Sequence, residues 1–155
     1  MRRVILGSFV LVVAAFALFG FTAGQSQQLD AKQLRSTLSQ LGYEIKDLNT
    51  EAGKEKYEVK VTREGFDVYV AYEVSPSKNY IWLTVLLGDT PSESKSLAML
   101  KQNSVIQPSM FYVSSTNKLM MGLPVDNRGL TNAILRQRTD SICEDVVDTS
   151  DLWSK

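Results

Sequence analysis

Apolar and polar side chains alternate through residues 57–74, and this pattern restricts the fold more than any other feature of the chain. The apolar positions are Tyr57, Val59, Val61, Phe66, Val68, Val70, Tyr72 and Val74. Turn residues interrupt the pattern at Glu64-Gly65 and again at residues 75–77, and residues 80–87 are apolar at nearly every position. Period-two alternation between short turns is typical of an antiparallel sheet that packs one face on the core.

Helices are predicted at both ends of this domain. Asp30 and Gln33 have the spacing of a capping box, so we expect a first helix over about residues 31–41. Apolar residues at helical spacing predict a last helix over about residues 130–149, with Trp153 packing at its end.

A further helix is predicted in the middle of the domain. Thr90 is the expected N-cap and Pro91 the expected first helical residue, because proline fits the first turn of a helix. The apolar side chains expected to form the buried stripe of this helix are Leu97, Leu100 and Val105.

Three further strands complete the predicted order. We expect them at residues 43–48, 109–115 and 118–124, and Pro124 indicates that the last one ends or lies at an edge there. The order α-β-β-β-β-α-β-β-α predicts an α+β fold, with a mostly antiparallel sheet of about five to six strands and helices at the start, middle and C-terminus.

A family resemblance accompanies this order. The hairpin formed by Met110-Phe111-Tyr112-Val113 and Leu119-Met120-Met121-Gly122-Leu123-Pro124, followed by a long last helix, resembles the YbjN-like family. That family shares the fold of type III secretion chaperones, and the resemblance covers residues 31–153. It implies a small domain that binds protein or peptide segments, or dimerises, without chemistry of its own, and it brings no catalytic residues.

The N-terminus has the pattern of a secretory signal peptide. Arg2 and Arg3 precede an uncharged, largely apolar stretch at residues 4–21, and small residues lead to a polar stretch after Gly24. We expect cleavage after Gly24, a short polar lead-in at residues 25–30 and export to the periplasm or the exterior. In the alternative, residues 4–21 remain as a membrane anchor, which is the one membrane contact expected.

Composition excludes several kinds of site. The chain has no histidine and one cysteine, so Ser-His-Asp and Cys-His nucleophiles, His-ligated metals and intrachain disulfides are impossible. Removing Arg2 and Arg3 leaves 15 basic residues against 17 acidic ones, a net charge of −2. Nucleic-acid binding needs a basic surface, so this charge argues against a nucleic-acid partner. Cys143 is expected to be a small, semi-buried and unreactive helical residue.

Acidic side chains offer two candidate sites, and both are interpreted as solvated surface. Asp140, Glu144, Asp148 and Asp151 stack on one face of the last helix, opposite an apolar face that includes Ile134. Across the strands, Glu58 with Asp67 or Glu73 would be a carboxylate pair for acid–base work, but these residues alternate with the apolar set. We therefore predict that the protein is not an enzyme and that it has no catalytic residue, metal or cofactor.

The second face of the predicted sheet carries aromatic and methionine side chains. A sheet covered by helices on one side needs a single apolar face, yet some strands here have two. Residue types of this kind are enriched in interface cores, and the candidate partner-binding residues are Tyr69, Tyr80, Trp82, Met110 and Tyr112. In the alternative, the last helix crosses over and covers this face.

The sequence thus predicts an exported, non-enzymatic protein-binding or chaperone-like module. It is expected to bind a protein or peptide partner, or to self-associate, through the aromatic and methionine side chains of the sheet. The alternative is a carrier of a small apolar ligand in the cell envelope, which would need an enclosed apolar pocket between sheet and helices.

Overall fold

A computed structural model describes residues 28–154, so the predicted signal peptide, its cleavage after Gly24 and the first part of the polar lead-in lie outside the described residues. The elements are α1 (Ala31–Gln40), β1 (Ile45–Asn49), β2 (Lys56–Arg63), β3 (Phe66–Val74), β4 (Tyr80–Asp89), α2 (Glu93–Gln102), β5 (Met110–Val113), β6 (Lys118–Asp126), α3 (Asn132–Asp148) and α4 (Ser150–Trp153). The predicted α+β class and element order are confirmed, with the short α4 as an addition.

The strands form one antiparallel sheet in the order β1-β2-β3-β4-β6-β5. The predicted turn at Glu64 and Gly65 joins β2 to β3, and both residues have positive φ, 49° and 83°. Two successive residues with positive φ match the right-handed twist of the flanking strands. This turn fixes the register that pairs Val59 with Val70 and Val61 with Val68.

One face of the sheet forms the hydrophobic core with α1 and α3. The alternating side chains of the central strands, including Val70, Tyr72 and Leu83, are fully buried there, together with Leu38 of α1 and Ile142 of α3. The alternation therefore sorts the side chains as predicted, because successive residues of a strand point to opposite faces.

A buried hydrogen bond fixes α3 on this face. The hydroxyl oxygens of Tyr72 on β3 and Thr139 on α3 are 2.8 Å apart, and the Thr139 hydroxyl also donates to the carbonyl of Leu135. The alternative in which the last helix covers the other face of the sheet is therefore wrong.

The capping box of α1 is confirmed. The backbone N–H of Gln33 donates to the Asp30 carboxylate, and the backbone N–H of Asp30 donates to the Gln33 side chain, each over 2.8 Å. The helix ends at Gln40, and Gly42 follows with φ of 83°, a conformation that glycine adopts without strain.

The predicted start of α2 is wrong. The helix begins at Glu93 after Ser92, because the Thr90 hydroxyl donates to the carbonyl of Asn117 over 2.8 Å instead of capping a helix. That bond ties the residues before α2 to the turn between β5 and β6.

The predicted buried stripe of α2 is also wrong. Leu97, Leu100 and Val105 are 55%, 64% and 71% exposed, and Met99 is the buried side chain of the helix. α2 lies beside the short edge strand β5 and not over the centre of the sheet. At this position α2 buries the side chain of Met99, although its leucines have the spacing of a buried stripe.

Two smaller expectations are refined by the structure. β6 continues past Pro124 to Asp126, but the last residue paired with β5 is Gly122, so Pro124 has a strand partner on the β4 side alone. Ile134, expected on the buried face of α3, is 40% exposed, whereas the adjacent Leu135 is fully buried. No helix in residues 28–154 is long and apolar enough to cross a membrane.

Asn127 joins the chain segment before α1 to the turn between β3 and β4. Its fully buried side-chain amide donates to the carbonyls of Leu29 and Lys78 and accepts from the N–H of Leu29, over 2.8 to 3.0 Å. The Gln28 side chain adds a bond to Asn79 at 2.9 Å. The chain segment before α1 is thus held next to the turn between β3 and β4.

Candidate functional site

The five predicted partner-binding residues lie together on the face of the sheet that faces away from α1 and α3, which we call the open face. Tyr69 on β3, Tyr80 and Trp82 on β4, and Met110 and Tyr112 on β5 are each between 36% and 49% exposed. They are spread over three strands of the same face, where β6 separates β4 from β5. Trp82 has Glu73 and Pro124 as its strand partners, and Met110 has Gly122. Their role in binding stays a prediction.

Two further side chains belong to the same surface. Leu86 is 61% exposed and pairs with Met120, which in turn pairs with Tyr112. Neither is among the five candidate residues, although Leu86 is in phase with Tyr80 and Trp82 on β4. The insertion of β6 between β4 and β5, which brings Met120 beside Leu86, is not visible in the order of strands along the chain. The period-two phase of β6 was the available signal, since it places Met120 in step with Gly122.

The centre of the open face has a floor of small residues. Ala71 pairs with Thr84, and Thr84 pairs with Gly122, so the three form a line across β3, β4 and β6. All three are buried although they belong to the open face. Larger side chains therefore cover them, and Tyr112 is one of these.

Tyr112 lies over Gly122. A Cβ atom on Gly122 would come within 2.9 Å of Tyr112 Cε1, so the absence of a side chain lets the ring rest on the sheet. Burial raises the pKa of Tyr112, and the Glu73 carboxylate raises it further. Beneath this surface the Thr84 hydroxyl has no hydrogen-bond partner in the described part of the chain.

We expect Gly122→Ala to displace the Tyr112 ring and to lower the free energy of unfolding by about 1 kcal/mol, since overpacking forces side chains off their preferred positions. A double-mutant cycle with Tyr112→Ala, followed by urea denaturation, checks this. The cost of Gly122→Ala should largely vanish in the Tyr112→Ala background. An equal cost in both backgrounds would show that the ring does not occupy the space above Gly122.

Paired charges surround the apolar part of the open face. The lysine–carboxylate pairs on β1, β2 and β3 are Lys46–Glu58 at 3.1 Å, Lys56–Glu73 at 3.7 Å and Lys60–Asp67 at 2.7 Å. Lys118–Asp89 and Arg128–Asp126, each at 2.6 Å, lie at the two ends of β6. These ten charges sum to zero.

The carboxylates considered for acid–base work are therefore held by lysines. Each of Glu58, Asp67 and Glu73 has its own lysine partner, and the bond from Lys60 lowers the pKa of Asp67. An acid–base pair needs one carboxyl with a raised pKa in a cleft. Here the bond from Lys60 favours the ionised form of Asp67, and the three ion pairs are the arrangement of an ordinary polar surface.

The acidic row of α3 is also engaged in part. Glu144 lies 3.2 Å from the guanidinium of Arg63 on β2. Within residues 28–154, no group of three or more acidic or cysteine side chains is placed to hold a metal ion. Cys143 is fully buried, and burial raises the pKa of its thiol to about 12, so the thiol stays protonated at neutral pH.

A second apolar surface lies between α2 and the edge strand β5. An apolar groove of about 150 Å³ there is lined by residues that include Leu100, Phe111 and Tyr112. The side chain of Asn103 closes the strand edge, because it accepts from the N–H of Phe111 at 2.7 Å and donates to its carbonyl at 3.2 Å. Such pairing hides backbone groups that an edge strand would otherwise offer to another strand.

Comparison with known proteins places the fold. No protein-family model matches the chain, and no curated protein matches it. Among solved structures it is similar to a chain of the heterodimeric ExoU–SpcU complex from the type III secretion system of Pseudomonas aeruginosa. The identity is 16% and the TM-score 0.47, over 77% of this chain and 96% of the other.

It is also similar to YbjN, a candidate transcription regulator from E. coli, with 16% identity and a TM-score of 0.52. That match covers 81% of this chain and 94% of YbjN. The fold expected from the hairpin and the last helix is confirmed: this chain shares the fold of YbjN.

Proposed function

We propose that this chain is an exported, non-enzymatic protein-binding module that uses the open face of its sheet. Tyr69, Tyr80, Trp82, Met110 and Tyr112 form its binding residues, with Leu86 and Met120 as additions. The partner is a protein or peptide, and self-association through the same face is the second form of this proposal.

The observation that carries the proposal is the exposure of large apolar side chains on one continuous surface. Contiguous apolar patches on soluble domains mark interaction sites, whereas single exposed apolar residues are ordinary. Aromatic and methionine side chains of this kind contribute most to binding when they lie at the centre of an interface with a polar rim. The paired charges around the open face supply such a rim.

The neutral rim also restricts the partner. Each charge at the border of the open face already has an opposite charge within 4 Å. A strongly charged partner would form a new ion pair only by breaking an existing one, which leaves a charge of the rim without its partner. We therefore expect a partner segment that is apolar or aromatic at its centre and close to neutral.

Export rests on the sequence of residues 1–24. Mass spectrometry of the N-terminal peptide from producing cells tests this part. A peptide that begins at Gln25 supports cleavage after Gly24, whereas an intact N-terminus in membranes supports the anchor at residues 4–21.

We expect Trp82→Ala and Tyr112→Ala to weaken partner binding or self-association more than they lower stability. Truncation of a central aromatic side chain at an interface costs about 2 kcal/mol, or roughly a thirtyfold loss of affinity. Binding is measured by pull-down from the producing cell and by sedimentation, and stability by thermal melting. Ile134→Ala is the control, since Ile134 has a similar exposure but lies on α3. Unchanged binding by both open-face variants at an unchanged Tm would contradict the proposal.

A further inference from the structure

A cleft of about 420 Å³ lies at the end of the sheet, between α2, α4 and the last residues of β4. Its lining includes the buried side chains of Met99 and Leu119, and Leu152 and Trp153 line the side toward α4. This volume falls within the range of small-molecule sites, which combine mostly apolar walls with a few polar groups. The cleft is open to solvent and is not the enclosed pocket that the carrier alternative needs.

Two contacts fix the Trp153 side chain that forms one wall of the cleft. Its indole N–H donates to the carbonyl of Val146 at 2.9 Å, and the ring of Phe66 meets it edge-on with centroids 6.3 Å apart. On the opposite side, Gly88 has φ of 152° where the pairing of β4 with β6 shifts register. The cleft is therefore shaped by fixed groups on two sides.

Two charged side chains line the cleft, one of each sign. Asp89 lines it, but its carboxylate is paired with Lys118 at 2.6 Å. Lys95 of α2 also lines it, and none of the ion pairs within residues 28–154 involves Lys95. Among the described residues, Lys95 thus has no carboxylate partner, and it stands beside the apolar lining of the cleft.

We propose that this cleft binds a small amphipathic anion, a single-chain aliphatic carboxylate. Its chain lies against Met99, Leu119 and Trp153, and its carboxylate meets Lys95. The site uses none of the five open-face residues, so it goes beyond the protein-binding function and stands or falls separately from it.

The test follows the fluorescence of Trp153 in the full chain carrying Trp82→Phe, because Trp82 and Trp153 are the two tryptophans of the protein. Decanoate is titrated below its micelle concentration, beside decan-1-ol and decyltrimethylammonium. We expect saturable binding of one decanoate per chain and weaker binding of the alcohol and the cation. Lys95→Gln should weaken decanoate binding about fivefold, the scale of one exposed ion pair.

Lys101→Gln is the matched control, since Lys101 lies on the same helix but does not line the cleft. It should bind decanoate as the parent does. The proposal is overturned if the Trp153 signal does not saturate, if the ammonium compound binds as tightly as decanoate, or if the two lysine variants behave alike.

Discussion

Asn127→Ala is expected to lower the free energy of unfolding by about 3 kcal/mol, because it removes a fully buried amide and leaves three partly buried backbone groups without partners at once. The amide of Asn127 uses both of its N–H groups and its oxygen, and it joins Leu29, Lys78 and β6. Removing it leaves the N–H and carbonyl of Leu29 and the carbonyl of Lys78 to find other partners. Urea denaturation measures the loss.

The control for this prediction is Asn132→Ala. Asn132 has one side-chain bond, to Gln40 at 3.2 Å on the surface. Its truncation should change stability by less than about 0.5 kcal/mol, as is usual for surface positions. Equal effects of the two substitutions would contradict the stabilising role that we assign to the Asn127 hydrogen bonds.

Leu83→Ala should lower the free energy of unfolding by about 3 kcal/mol, while Leu86→Ala should change it by less than about 0.5 kcal/mol. Both residues lie on β4, three positions apart and therefore on opposite faces of the sheet. Leu83 is fully buried against the helices, whereas Leu86 is 61% exposed on the open face. Truncation at Leu83 leaves a cavity, and truncation at Leu86 leaves a smaller surface side chain.

Urea denaturation of the two variants, at an unchanged dependence on denaturant concentration, checks this pair. The comparison tests which face of β4 forms the core. A larger loss from Leu86→Ala than from Leu83→Ala would mean that the open face is covered in the folded protein, and the account of the binding surface would fail with it.

Much of this fold could be predicted from local patterns. The alternation from Tyr57 to Val74, the turn at Glu64-Gly65 and the capping box at Asp30 each depend on neighbours within a few residues. Such features are encoded in the periodicity of side chains and in the preference of particular residues for turns and helix ends.

Features that depend on distant contacts could not be predicted. The apolar spacing of Leu97 and Leu100 indicated a buried stripe, but burial depends on what lies opposite a helix, and α2 lies at the edge of the sheet. Thr90 has the chemistry of an N-cap, yet its hydroxyl bonds to Asn117, which is 27 residues away. Asn127 follows β6 directly, and its bonds to Leu29 span 98 residues.

The candidate site was predicted in part. The types of residue on the second face of the sheet singled out Tyr69, Tyr80 and Trp82, and the structure exposes them on one surface. The choice between an open and a covered face depended on where α3 packs, which the hydrogen bond between Tyr72 and Thr139 settles. The ion pairs around the open face could not be predicted, because they depend on the register between strands.

The most direct test of the binding function is crosslinking in the native cell, followed by mass spectrometry of the isolated complex, for the parent chain and for Trp82→Ala. The account predicts one stoichiometric partner, or a second copy of the chain, crosslinked through the open face and lost in Trp82→Ala but retained in Ile134→Ala. A chain that stays monomeric and uncrosslinked, or a complex that Trp82→Ala leaves intact, would contradict it.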